Sequence, residues 1–211
     1  VSRADASRIP GARFVELPGS ETDIFLGDTA PALAEIERFV RQEEADVIDD
    51  RPLATVLFTD IVASTEQLAA QGDAAWRRAL DEHDRTARQV VTAHRGVLVK
   101  QLGDGILATF DGPARAVRCA DALRDVAANH GMSVRAGLHT GEIELRDTDV
   151  TGIAVVIAQR ISTLAAPNEI LASRTVVDLT AGSGLEFESR GEHQLKGVPG
   201  TWPTFAARTI P

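Results

Sequence analysis

Ala54-Thr55-Val56-Leu57-Phe58-Thr59-Asp60 is an unbroken apolar, β-branched run that ends on a carboxylate. Such a run predicts a buried strand. Downstream, Val97 to Gln101 and Ile106 to Phe110 read as two short strands, and Leu102-Gly103-Asp104-Gly105 between them has hairpin-turn chemistry. A helical pattern fills the space from the first strand to about His94, with Leu68, Trp76, Leu80, Ala87 and Val91 on its inward face. Gly112-Pro113 opens another helix through about Ala128, and Ser133 to His139 reads as the fourth strand. The order is βαββαβ, so the expected fold is α+β with a ferredoxin-like core.

Beyond the core, Ile143 to Leu145 is expected to pair back on the fourth strand across Thr140-Gly141. A helix over Gly152 to Leu164, a strand over Glu169 to Ala172, a short helix near Thr175 to Leu179 and a hairpin over 184–206 complete the C-terminal additions. Upstream, residues 1–42 hold one strand-like run, Ala12 to Leu17, and a helical pattern with Leu33, Ile36, Phe39 and Val40 at three- and four-residue steps. One strand and one helix cannot bury both their faces, so this extension is expected to pack on something else. Residues 43–52 are acidic and end in Arg51-Pro52, which reads as a linker to a domain over 53–211.

The 211 residues are 44% hydrophobic, enough for a sizeable core, and the net charge of −9 repels phosphate backbones and anionic membranes. Nucleic-acid and membrane partners are therefore not expected. No apolar run approaches the length of a membrane span, and no apolar signal segment opens the chain. The single cysteine, Cys119, cannot form an internal disulfide or a Cys-rich zinc site. These features point to a soluble protein of a reducing, cytoplasmic compartment. Residue 1 is Val and the one methionine is Met132, so the chain reads as cut from a longer protein.

In a βαββαβ sheet the third strand lies beside the first and runs antiparallel to it. The end of the first strand therefore meets the start of the third, which brings Asp60 and Asp104 to one edge. Two carboxylates placed so can share hard divalent cations, and paired cations suit phosphoryl displacement. A turn Asp and a strand-end Asp account for the same letters. The helix start at Ser64-Thr65 offers free N–H groups to phosphate, although either hydroxyl also makes an ordinary N-cap. His83 and His94, on the long helix, lack metal-ligand spacing, and His139, after a strand, and His193, in the terminal hairpin, suit surface or hydrogen-bonded roles. Cys119, in a helical run, reads as a small buried hydrophobe.

Five strings stand in order along the chain: LFTDIVAST (57–65), VKQLGDGILATF (99–110), VRAGLHTGEI (134–143), DVTGIAVVIAQR (149–160) and HQLKGVPG (193–200). Together they resemble the class III nucleotidyl cyclase catalytic domain, and within it the mycobacterial-type adenylyl cyclases. The resemblance implies a fold and a site. Asp60 and Asp104 match the two metal-binding aspartates, and Ile61 matches the position that gives a backbone carbonyl to one of two Mg²⁺ or Mn²⁺ ions. Arg135 matches an arginine on the polyphosphate, Lys196 a lysine reaching the terminal phosphates, and Thr65 falls at the substrate-binding helix start. Lys100 and Asp149 match the pair that reads the purine, and Arg160 the arginine that stabilises the transition state. In this family the site lies between two domains arranged head to tail, which implies a homodimer with two sites.

The purine pair has a chemistry of its own. Lys100 only donates and ionised Asp149 only accepts, which complements the acceptor N1 and donor 6-amino group of adenine. Guanine reverses both, so the expected substrate is ATP. One position departs from the family pattern: Val156 stands where an asparagine or histidine is usual, and valine cannot hydrogen-bond. Loss of one positioned donor costs on the order of a hundredfold in rate. The alternative reading is accordingly a weakly active or inactive nucleotide-binding regulatory module. A diguanylate cyclase would share the palm-like core, but no Gly-Gly-Asp/Glu-Glu-Phe run occurs.

The leading string ARFVELPGSETDIFLGD (12–28), followed by a helix, resembles the last strand, histidine loop and last helix of an α/β-hydrolase domain. Thr22 stands where that family places its catalytic histidine, and no nucleophile elbow is present. The expectation is an upstream hydrolase-like domain in a regulatory or scaffolding role.

Overall fold

The computed structural model describes residues 14–16, 29–47, 51–146 and 149–209. The chain divides into two units, Val1–Asp49 and Asp50–Pro211. In the first, helix α1 spans Ala30–Val47 and so carries into the acidic stretch read as linker. Of the strand expected over Ala12 to Leu17, Phe14, Val15 and Glu16 are described and belong to no strand. Thr22 and the rest of the hydrolase-like string through Asp28 lie outside the described residues.

The second unit is built on β1 (Leu53–Ile61), whose Val56 and Leu57 are fully buried on opposite faces. It is followed by α2 (Ser64–Gln71), α3 (Asp73–Ala93), β2 (Val97–Gln101), β3 (Ile106–Phe110), α4 (Pro113–Asn129) and β4 (Val134–Glu142). Then come β5 (Glu144–Arg146), β6 (Asp149–Thr151), α5 (Ile153–Leu164), β7 (Ile170–Ser173), α6 (Arg174–Leu179), β8 (Leu185–His193) and β9 (Trp202–Thr209). Seven strands form one sheet in the order β2-β3-β1-β4-β7-β9-β8. β1 runs antiparallel to both β3 and β4, with Phe58 opposite Leu107 and Asp60 opposite Arg135. This is the expected α+β, ferredoxin-like core, extended at one side by β7, β9 and β8.

Two elements correct the reading from sequence. The helix expected to run unbroken to His94 is interrupted at Gly72, whose φ of 77° and ψ of 154° suit glycine and end α2. The pairing of Ile143 to Leu145 back on β4 does not form. β4 runs on to Glu142, because Leu53 and Ala54 of β1 take Glu142 and Gly141 as partners. β5 instead pairs with β6 in a separate hairpin, Arg146 opposite Asp149.

Helices cover both faces of the sheet. Leu57, Ala108, Leu138 and Ala172 meet Val117, Ala120 and Leu123 of α4 on one face. Val56, Phe58 and Leu107 meet Ala154 and Ala158 of α5 on the other. α5 crosses β4 at Gly137, where a β-carbon would lie 2.2 Å from the Ser162 nitrogen and 2.5 Å from the Ala158 oxygen. Only a glycine lets helix and strand approach this closely. Cys119 is fully buried in the first cluster, and burial pushes its thiol up to about 12.

Candidate active site

Three side-chain groups carry the residues singled out by sequence. The first stands at the C-terminal end of β1. Asp60, half-buried, accepts from the Nε of Arg135 at 2.7 Å and also from its Nη2, both onto Oδ2. The register that sets Asp60 opposite Arg135 makes this pair a consequence of the β1–β4 ladder. The β2–β3 turn folds over the same strand end. Ile61 N–H donates to the Asp104 carbonyl at 2.9 Å, Ile106 N–H to Thr59 Oγ1 at 3.3 Å, and Leu102 N–H to the Gly105 carbonyl at 2.8 Å. Gly105 lies so close that a β-carbon there would meet the Thr59 oxygen at 2.0 Å.

Asp60 and Asp104 therefore line one cleft of about 200 Å³, with Phe58, Gly105 and, from α5, Gln159 and Thr163. The Asp104 Oδ2 accepts from the Ser64 hydroxyl. Among the described residues, neither aspartate's Oδ1 has a hydrogen-bond partner. The donors at this edge are oxygens alone, the choice of a hard divalent cation. Among the described residues, no three His, Cys, Asp or Glu side chains converge on one point. Ile61 has its side chain buried with Trp76, Met132 and Val134, so only its backbone can serve the cleft.

The second group pairs Lys100, on β2, with Asp149, on β6. The Lys100 Nζ donates to the two carboxylate oxygens at 2.8 and 2.7 Å, and Val150 N–H also donates to Oδ1. The Lys100 ammonium, and then the Val150 N–H, hold the Asp149 carboxyl below its ordinary range, so it is ionised at neutral pH. Both side chains remain about two-fifths exposed.

The third group lies on α5 and the loop before β9. Arg160 Nε donates to the Lys196 carbonyl at 3.2 Å, and the Lys196 side chain is exposed. Val156, one turn earlier, is half-buried against the cluster of Ile157, Ile161, Leu195 and Val198. Thr65 is exposed on α2. The helix has no side-chain cap: its N-cap is Ala63, so neither Ser64 nor Thr65 fills the capping role open to them in the sequence. The Ser64 contact with Asp104 and the Arg135 contact with Asp60 are polar links of the cleft that sequence reasoning did not isolate.

Three histidines, His94, His139 and His193, fall where a structural role places them. His94 and His193 bond backbone carbonyls at 2.8 and 3.0 Å. His139 is buried, within 2.8 Å of Ser173 Oγ, and stands edge-on to Trp202. Burial pulls its imidazole down to about 4, so it is neutral at physiological pH.

The sequence pattern of the adenylate and guanylate cyclase catalytic domain matches residues 48–208. A Rhizobium meliloti protein provisionally named adenylate cyclase 3 is 27% identical over 157 residues, covering 70% of this chain and 27% of that protein. The chain spans between 16% and 52% of the length of the first curated relatives it matches. Among solved structures, the adenylyl cyclase CyaB from P. aeruginosa superposes with a TM-score of 0.71 at 20% identity, covering 77% of this chain and 96% of that one. The guanylyl cyclase Cya2 gives 0.69 at 22% identity, with 77% and 94% covered. At these identities the superpositions establish the fold, and their substrates differ.

Proposed function

This chain belongs to the adenylate and guanylate cyclase catalytic domain family, and on that footing we propose that it converts ATP to 3′,5′-cyclic AMP and pyrophosphate. The ribose 3′-oxygen attacks the α-phosphorus, the bond to the β-phosphate oxygen breaks, and the 3′-hydroxyl proton leaves to solvent. The observation that carries this reading is the meeting of Asp60 and Asp104 at one cleft, fixed by the Ile61–Asp104 backbone bond.

Asp60, Asp104 and the Ile61 carbonyl would hold two Mg²⁺ or Mn²⁺ ions, and the Oδ1 of each carboxylate, without a hydrogen-bond partner among the described residues, suits that role. Such ions, when bound, offset charge on the attacking and leaving oxygens. Arg135, already beside Asp60, stands where it could turn from that carboxylate to a polyphosphate oxygen. Lys100 and Asp149 would read adenine by donating to N1 and accepting from the 6-amino group. Their ion pair is solvent-exposed, so opening it to admit the base costs little. Arg160 would meet the charge that grows on the phosphorus, and Lys196 and Thr65 the phosphates.

Lys100, Asp149 and Arg160 are not among the residues lining the Asp60–Asp104 cleft, although Gln159 and Thr163, on the same helix as Arg160, are. A site completed by a second copy of the chain, head to tail, would have one copy give the carboxylates and the other Lys100, Asp149 and Arg160. The second reading, a weakly active or inactive nucleotide-binding module, is favoured by Val156, whose side chain packs in an apolar cluster and offers no hydrogen bond.

Cyclic AMP formation from Mn²⁺–ATP, measured across protein concentrations with Asp60→Ala as the blank and GTP as competitor, separates the two. Product that needs Asp60, prefers ATP and rises faster than linearly with protein supports the cyclase. ATP binding with no product above the blank supports the module.

A further inference from the structure

We propose that Ser64 is the positioning residue of the Asp104 carboxylate: its hydroxyl engages Oδ2 and turns Oδ1 toward the cation. The inference rests on the cyclase reading above. A carboxylate on a turn rotates with little preference about its last bond. The Asp104 backbone is fixed by Ile61 N–H, but nothing in that bond orients the side chain. The Ser64 hydroxyl does so, reaching from the first residue of α2 to a turn 40 residues away. Asp60 is treated the same way by another donor, Arg135, also on Oδ2. Among the described residues, each carboxylate thus has one oxygen held by a donor and the other without a hydrogen-bond partner.

The local backbone is shaped for this contact. A serine at a helix start ordinarily spends its hydroxyl on its own helix as a cap. Here the cap is Ala63, in the left-handed region at φ 57° and ψ 34°, and no side-chain cap bond forms. A non-glycine residue adopts that conformation only where its surroundings impose it. Val62 N–H donates to the Ser133 carbonyl at 2.8 Å, and Gln67 Nε2 donates to the Val62 carbonyl at 3.3 Å, so the residue before the bend is held by both its backbone groups. The bend aims Ser64 at the cleft in place of the helix end.

The test is Mn²⁺ binding to the full chain without nucleotide, followed by the electron paramagnetic resonance signal of free Mn²⁺. Loss of a partner that orients a metal ligand typically weakens affinity by about tenfold or more. Ser64→Ala is expected to show that loss with an unchanged melting temperature, and Ser64→Thr, which keeps the hydroxyl, to restore binding. Asp104→Ala is expected to abolish the affected site. Ser64→Ala binding Mn²⁺ as tightly as the parent, while Asp104→Ala does not, overturns the positioning role and leaves the cyclase reading standing. Unchanged binding by Asp104→Ala overturns the cation site itself, and the role of Ser64 with it.

Discussion

Gly105→Ala is the substitution for which the structure gives the clearest magnitude. The added β-carbon would lie 2.0 Å from the Thr59 carbonyl oxygen, 3.0 Å from its carbon and 3.2 Å from the Asp60 Cα. All three are backbone atoms of the central strand, which pairs on both sides and cannot retreat. Ordinary contact needs about 3.5 Å, so the turn must move off the strand by more than about 1 Å. That displacement stretches the 2.9 Å bond between Ile61 N–H and the Asp104 carbonyl and carries the Asp104 carboxylate away from Asp60. Overpacking of this kind costs about 1–3 kcal/mol, and a 1 Å misplacement of a reacting group costs about a hundredfold in rate. Gly103→Ala is the control: its φ of 84° strains an alanine by roughly 1 kcal/mol, but open space surrounds the new methyl group. Cyclic AMP formation from Mn²⁺–ATP, read beside urea unfolding, should show a large rate loss for Gly105→Ala and a small one for Gly103→Ala at comparable stability cost. Equal rates for the two variants would refute the claim that the close turn sets the Asp60–Asp104 geometry.

Further outcomes follow from other contacts. Gly137→Ala places a β-carbon 2.2 Å from the Ser162 nitrogen and should lower stability by about 1–3 kcal/mol in urea unfolding as α5 is forced off β4. Lys100→Ala removes the donor of the purine pair and should cut the ratio of kcat/KM for ATP over GTP by about tenfold, read from initial rates with each nucleotide. His139 is held at about 4 against 6.5 for a free imidazole. Between these values the unfolded chain takes up a proton that the folded chain refuses. Its contribution is therefore complete above pH 6.5 and is lost as the pH falls through 4, about 3 kcal/mol in all. Urea unfolding at pH 7 and pH 4 should show His139→Gln losing correspondingly less than the parent, while His83, held down mainly by burial, adds to the acid sensitivity of both.

The core was legible because its signals are short-range and unambiguous. β1, β2, β3 and the turn carrying Asp104 are written in apolar runs, β-branching and glycine placement, and the pairing of β1 with β3 then follows from topology. The break at Gly72 was not legible, since a glycine inside a helical pattern is tolerated unless its φ is forced positive. The end of β4 was misread because Thr140-Gly141 has turn letters; its true partners, Ala54 and Leu53, are distant in sequence. Ser64 was hidden by its own ambiguity: a serine at a helix start is explained by capping, and only the left-handed Ala63 directs it elsewhere. His139 gave no sign of burial, because its surroundings, Ser173 and Trp202, come from the C-terminal additions.

The most direct test of a cyclase site shared between two copies is to mix Asp104→Ala with Arg160→Ala, each inactive alone, and assay cyclic AMP from Mn²⁺–ATP. In a two-fold head-to-tail dimer, each mixed pair regains one intact site out of two, so an equal mixture should recover about a quarter of the parent rate. Both variants remaining inactive on mixing, while the parent chain is active, would contradict the shared site.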